Sequence, residues 1–408
     1  MSILSIAPYF PFCRVKLTRQ SVASQADMAW VEAEPDERYR PICHVCGQKS
    51  RRIHTWDRRG LRDLNLGSAR VWIGCSFRKV YCAACGGVRV EDLEFFEPYK
   101  HVTRRLARYI YDLCKRMTVQ EVADHLGLDW KTVKEIDKAF LDKEYGRTDY
   151  DDLTLLAVDE IAVHKGQRYM TVVLDYLSGR VVWVGPDRTA ETLRSFFRGM
   201  TEAQKQRLKA VALDMWDPYI LAIQTEVPHV QIVFDLFHVV AAFNQVIDQV
   251  RNDECRKARK KDKAVFKGSK YLLLKNKKSL RSGEERRHLR RLLELNKTLC
   301  TLMILRDLLK KIWTYRYRGW ALKRLRQWCA LARTVGYRSV TTFAHRLESY
   351  EYGILNHCQY RLHTGTLEGV NNKIKVIKRK AYGFHDDRYF SLKVIQAFAP
   401  ENPGFLAN

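Results

Sequence analysis

The sequence predicts a multidomain α/β protein: a mixed-sheet core carrying an all-α insertion, preceded by a four-cysteine ribbon and a helix-turn-helix. Three observations predict it. Two CxxCG turns flank an alternating apolar run between Cys43 and Cys85. A capped pair of helices follows within residues 101–142. From Leu153 strand-like and helical patterns alternate, and beyond Val250 the strands give way to basic helices.

Composition sets the outer limits. A chain of 408 residues is long enough for two to four domains. Its net charge of +26 calls for a polyanionic partner, nucleic acid before an anionic membrane surface. Residues 251–333 hold 27 Lys and Arg against 7 Asp and Glu, so the excess is concentrated in one segment. No run of eighteen apolar residues suggests a membrane span, and the first residues lack a signal-peptide pattern, so an intracellular protein is expected. Eleven cysteines, four of them in CxxC pairs, favour metal over disulfides in that compartment.

Residues 1–40 are an N-terminal segment to which the sequence assigns no role. Within 41–95, Cys43, Cys46, Cys82 and Cys85 have the spacing of a tetrahedral four-cysteine site for one structural Zn²⁺. Four free thiols are the alternative. Cys75, His44 and His54 have no partner at the same spacing. Val71, Ile73, Cys75, Phe77 and Val80 mark a hairpin with one bulge. A ribbon this small is expected to need its metal to fold.

Residues 96–147 read as a helix-turn-helix domain. Thr118 and Glu121 form a capping box, and Val119, Val122 and Ala123 an apolar stripe. Gly127 fills the turn, and Asp129 caps a second helix with stripe Val133, Ile136 and Phe140. Against DNA that helix would offer Trp130, Lys131, Thr132 and Lys134 to a groove. A helical hairpin that never meets DNA can show the same pattern.

Residues 148–250 start with three strands in meander, "LTLLAVDEIAV", "QRYMTVVLDY" and "GRVVWVGP". A helix at Ala190–Gly199, the strand "LKAVALDMW", a helix from Pro218, the strand "HVQIVFD" and a helix from Leu236 to about Val250 follow. This order predicts a mixed sheet covered by helices. Residues 251–344 form a basic helical insertion, in which "RKARKKDKAVFKGSK" and "KNKKSLRSGEERR" read as exposed loops or arms. Residues 345–408 return to the core. Their last helix starts near Thr366 with a lone acid, Glu368, followed by Lys373, Lys375, Lys378, Arg379 and Lys380.

Four aspartates, Asp159, Asp175, Asp214 and Asp235, each end an apolar strand. Carboxylates at neighbouring strand ends can converge to hold two Mg²⁺ or Mn²⁺ about 3.5–4 Å apart. Each could instead cap a turn, and Glu368 could serve only the helix macrodipole. Composition and spacing do not rank the four.

A resemblance does. "LAVDEIAVHKGQRYMTVVLD", "ALDMWDPYI", "FDLFHVV" and "TGTLEGVNNKIKVIKRKAYGF" resemble the RNase H-like core of bacterial insertion-sequence transposases, closest to the ISL-three family of DDE transposases. The likeness spans nearly the whole chain and includes the order ribbon, helix-turn-helix, core. It implies a metal-binding triad of Asp159, Asp214 and Glu368, holding two Mg²⁺ or Mn²⁺ and acting on DNA. Asp235 and His238 would support the site. Trp216 would stack on an unpaired base or, as the favoured alternative, pack against the adjacent helix. The cations after Glu368 would face DNA phosphates. The resemblance further implies binding to terminal inverted repeats and target DNA, strand cleavage and transfer, a homodimer or higher oligomer on paired ends, and a nucleoid-associated cytoplasmic protein. A DNA-binding regulator on a former transposase core and a structure-specific nuclease are the competing readings.

Overall fold

The structure is a computed structural model. It describes residues 6–23, 25, 27–162, 168–259, 263, 265–266, 269–274, 282–362, 365–381 and 383–400, with only the backbone for 365–368. It is a mixed α/β chain with two mixed sheets, dividing into one compact unit up to Glu144 and another from Tyr145 to Pro400.

In the first unit, β1 (Val15–Val22) and β2 (Met28–Pro35) form an antiparallel pair, and β2 lies parallel to β4 (Ala69–Cys82). β3 (Ile53–Leu66) forms a long hairpin with β4, and β5 (Gly87–Val90) pairs with the far end of β4. The hairpin carries two register shifts, one at each end, where the alternation suggested one. Val71, Ile73, Cys75 and Phe77 point into a core with Ala29, Val31, Leu61, Phe95 and Phe96. Beyond Phe77 the phase slips and Arg78 is buried, its Nε 2.8 Å from Glu91.

The segment left without a role thus supplies two strands of the sheet. The cysteine turns hang from a five-stranded sheet with its own apolar core. The cysteines thus stand on a larger framework than the small ribbon the sequence suggested.

Three helices complete this unit: α1 (Arg104–Cys114), α2 (Val119–Leu126) and α3 (Trp130–Tyr145). Thr118 and Glu121 make the reciprocal capping box, and Gly127 takes the left-handed conformation at φ 62°. The left-handed backbone favours glycine there; a side chain would also meet the guanidinium end of Arg70 at 2.7 Å, which can swing aside. Val122, Ala123, Leu126, Val133 and Ile136 bury together.

The second unit is built on a sheet ordered β10-β9-β6-β7-β8. β6 (Leu155–Ala162), β7 (Tyr169–Asp175) and β8 (Val181–Pro186) form the antiparallel meander. β9 (Ala210–Leu213) and β10 (Gln231–Phe234) join parallel to β6. Between β8 and β9 lie α4 (Ala190–Arg198) and a short helix that the sequence pattern did not predict, α5 (Glu202–Arg207). α6 (Asp217–Glu226) joins β9 to β10, and α7 (Leu236–Lys257) leaves β10.

One face of the sheet, with Leu156 and Val158, packs on α4, α6 and α7. The insertion continues that core. Phe243 of α7 meets Trp328 and Phe343 of the insertion at 5.2 and 5.1 Å between ring centroids. Of its two basic tracts, residues 260–262, 264, 267–268 and 275–281 lie outside the described residues. Several of the others are helical: Arg256 and Lys257 end α7, and Gly283 opens a helix.

The opposite face, with Ala157, Ile161, Val172 and Leu174, is covered from the chain's far end. Val370 and Ile374 of the helix Gly365–Lys380 lie on it, with Phe390 and Val394 of the helix Asp387–Phe398. That second helix was also not evident in the sequence.

Candidate active site

Strand register aligns three of the four aspartates. Ala157 pairs with Ala212 across β6 and β9, and Leu213 with Phe234 across β9 and β10. Continuing that register puts Asp159 level with Asp214, and Asp214 level with Asp235. Because the three strands are parallel, all three carboxylates stand at one edge. β7 runs the other way and pairs Asp175 with Leu156, at the opposite edge. There Asp175 accepts hydrogen bonds from the backbone of Leu177 at 3.3 Å and Ser178 at 3.2 Å, closing a turn. Topology separates what composition could not.

The edge is electrostatically crowded. Asp159 is buried, its Oδ1 accepting from the Glu160 amide at 2.8 Å and its Oδ2 from Asn371 Nδ2 at 2.6 Å. Burial pushes the Asp214 carboxyl up. Asp159 pushes the same way, while His238, Arg346 and Arg188 pull it down. Burial also raises Glu160, followed by repulsion from Asp214 and Asp159. Asp235 is buried at the start of α7 without capping it, 3.9 Å from His238 Nε2. Asn371 Oδ1 is buried and has no hydrogen-bond partner among the described residues. Repelling carboxylates beside an unpartnered amide oxygen are a donor set suited to hard divalent cations.

Glu368 lies on Gly365–Lys380, three residues before Asn371 and so one turn earlier on the same helical face. Its side chain lies outside the described residues. Of the cations behind it, Lys373 donates to the Ala397 carbonyl and sits 4.5 Å from the Phe398 ring centroid, tied to the next helix. Lys375, Arg379 and Lys380 are exposed, and Lys378 is half-buried. Trp216 packs beside the core, its Nε1 donating to the Arg188 carbonyl at 3.4 Å.

In the first unit the four cysteine sulfurs lie within 4.8 Å of one another, with Cys46–Cys82 at 3.5 Å and Cys43–Cys85 at 3.9 Å. A tetrahedron with Zn–S bonds of about 2.3 Å has edges of about 3.8 Å. Gly47 and Gly86, at φ 72° and 61°, close the two turns. The Cys85 amide, donating to Cys82, lowers that thiol to about 7. Two of the other candidates are engaged elsewhere. Cys75 is buried in the sheet, its thiol pushed up to about 12 by desolvation, and His44 Nδ1 contacts the Val90 carbonyl at 2.9 Å. On α3, Trp130 and Lys131 are exposed and Thr132 and Lys134 half-buried, with Asp129 capping Lys131 at 2.9 Å.

Comparison with known proteins follows the same division. Residues 156–394 match the family model of the ISL3 transposase with its DDE domain, and residues 91–141 match the helix-turn-helix domain of transposase family ISL3. The transposase of insertion sequence element IS1001 from Bordetella parapertussis is 42% identical over 360 residues, 88% of each chain. The chain belongs to the ISL3 family of transposases. Another relative, the IS1557 transposase of Mycobacterium tuberculosis, is 23% identical across 94% of this chain and 93% of its own. This ISL3 member is accordingly a DDE transposase with a DNA-binding helix-turn-helix. Among its described residues no helix is long and apolar enough to cross a membrane.

Four residues at the transposase's carboxylate edge were not picked out by sequence pattern: Glu160, Arg188, Arg346 and Asn371. Nothing in "VDE" sets Glu160 apart from its neighbours. Arg346 reaches the Met215 carbonyl at 2.6 Å from a distant helix, which no local pattern encodes. Arg188 did leave a signal, a cation just ahead of the Thr189 cap of α4, where the helix dipole disfavours it. Asn371 left one as well, a polar residue between the buried Val370 and Ile374.

Proposed function

We propose that this transposase recognises the terminal inverted repeats of its insertion sequence with its first unit. It then cuts and joins DNA strands at the carboxylate edge of the second, an RNase H-like core. The observation that carries the reading is the shared level of Asp159 and Asp214, together with the tie from Asp159 to the glutamate helix through Asn371. Three antiparallel strands followed by two parallel ones agree with an RNase H-like sheet.

Asp159, Asp214 and Glu368 would hold two Mg²⁺ or Mn²⁺, as hard oxygen donors suit. Bound there, such ions activate a water or a 3′-hydroxyl and stabilise the leaving oxygen of an in-line displacement. The protein groups position. Asn371 fixes one oxygen of Asp159, and Asp235 and His238 brace the neighbouring strand end. Lys375, Lys378, Arg379 and Lys380 meet backbone phosphates beside the cut. Lys373 serves the helix packing first.

Cys43, Cys46, Cys82 and Cys85 would hold one structural Zn²⁺. Trp130, Lys131, Thr132 and Lys134 would meet the DNA end, and the basic insertion would grip backbone. Joining two ends to target DNA requires at least a homodimer, working at the nucleoid in the bacterial cytoplasm. A labelled inverted-repeat end incubated with protein and Mg²⁺ tests this: nicks at the element boundary and joined products are expected. Binding without nicking would leave a regulator instead.

A further inference from the structure

The segment between β8 and α4 is tied down residue by residue. Asp187 stands at φ 61°, in the left-handed region. Its amide donates to the Tyr169 carbonyl at 2.9 Å, and its carbonyl accepts from Thr171 Oγ1 at 2.7 Å. The next carbonyl, that of Arg188, accepts from Trp216 Nε1 at 3.4 Å. Thr189 then caps α4 through the Thr192 amide at 3.2 Å. Three consecutive residues are fixed by β7, by the start of α6 and by α4. A non-glycine residue held at positive φ costs about 1–3 kcal/mol, so the surroundings must impose the conformation.

What this anchoring positions is a guanidinium. Arg188 Cζ lies 4.1 Å from the ring centroid of Tyr169 and 5.1 Å from that of Trp216. Its Nη1 is 3.5 Å from Glu160 Oε1, and its side chain is 38% exposed. The two rings hold the guanidinium by cation–π contact, and its five N–H donors suit oxygen acceptors. One long ion pair engages few of them. Its two contacts at this edge, Glu160 and Trp216, lie one residue after Asp159 and two after Asp214, which places Arg188 beside the carboxylate row. Neutralising Glu160 alone would need neither two aromatic rings nor a strained Asp187.

We propose that Arg188 is a phosphate-binding residue of the active site, its ring-held guanidinium contacting a non-bridging oxygen of the phosphodiester that is cut. Trp216 then serves Arg188 twice over. Its ring holds the guanidinium, and its N–H holds the backbone of the same residue. The proposal rests on the reading that Asp159 and Asp214 form the active site.

The test is a double cycle between residue and phosphate. Affinity is measured, with Ca²⁺ in place of Mg²⁺, for an inverted-repeat end and for the same end carrying a neutral methylphosphonate at the cut position. The ratio of the two affinities is compared between the parent and Arg188→Ala. That ratio is expected to drop about tenfold, the worth of a charge-assisted hydrogen bond, and cleavage of the natural end by at least as much. An unchanged ratio overturns the proposal. If Arg188→Ala does not fold, Arg188→Lys serves, since it keeps the charge but loses the planar fork; a drop of about threefold or more is then expected, and no drop overturns the proposal. Asp159→Asn, run alongside, should lose cleavage. Normal cutting by Asp159→Asn would sink the active-site reading itself, which is a different result from an unchanged ratio in Arg188→Ala.

Discussion

The side-chain amide of Asn371 donates to Oδ2 of Asp159 at 2.6 Å, joining residues 212 positions apart. This bond ties the helix Gly365–Lys380 to the central strand β6, and it makes Asn371 the described partner of Asp159 on the glutamate helix.

Asn371→Ala should therefore act on metal use rather than on DNA binding. Outer partners of metal-binding groups are typically worth about 10–100-fold in affinity or activity. The Mg²⁺ concentration needed for half-maximal cleavage should rise by about tenfold or more, with affinity for the DNA end unchanged. A titration of Mg²⁺ against cleavage rate checks it, and an unaltered midpoint would reduce Asn371 to packing.

Glu368→Gln, Asp159→Asn and Asp214→Asn should each fold, bind the end, and lose cleavage by several orders of magnitude. Double variants should be little worse than singles, because the three act as a unit. Asp175→Asn is the internal control. It should cut normally while losing up to about 1 kcal/mol of stability, because it weakens a turn at the other edge. Denaturation curves and a gel-based cleavage assay on matched proteins separate the two effects.

Freshly purified protein should contain one Zn²⁺ per chain by elemental analysis. Cys82→Ser should release it and loosen the two CxxCG turns. The apolar core of β1 to β5 should survive, because Val71, Ile73 and Phe77 do not depend on the sulfurs. Hydrogen exchange should show protection lost around 43–47 and 82–87 and kept along the middle of β4.

Charge removal in the insertion should weaken binding to all DNA alike and flatten the salt slope by roughly one unit for each phosphate contact removed. Lys131→Ala should instead cost more on the true end than on random DNA, if the exposed lysine reaches a base edge. Binding isotherms at several salt concentrations, on both DNAs, distinguish the two behaviours.

Local chemistry made much of this molecule legible. The box at Thr118, the glycine at 127 and the apolar runs around Asp159 and Asp214 each fix their own element within a few residues. What stayed hidden depends on partners far along the chain. β1 and β2 are exposed along much of one side, so their alternation is faint, and they gain a role only by pairing with β4. Asp175 and Asp235 look alike as strand ends. Strand direction separates them, and it is settled only when β7 turns back on β6. Arg188 and Asn371 owe their positions to Trp216 and Asp159, and neither contact is written at a helical or strand period.

The two-sided covering of the second sheet has a consequence for how the protein is made. All five strands have been synthesised by Phe234, and α4, α6 and α7 soon cover one side. The other side, with Ala157, Ile161, Val172, Leu174 and Ala212, has to wait for Val370, Ile374, Phe390 and Val394. A ribosome that stops inside the insertion thus releases the first unit's residues up to Glu144 attached to a sheet with one apolar face bare. Such a product is expected to keep its hold on DNA ends while lacking a cutting centre, and to be cleared quickly by proteases that recognise exposed apolar surface. Incomplete translation would then generate short-lived competitors of the full-length protein, from the same reading frame and with no second gene.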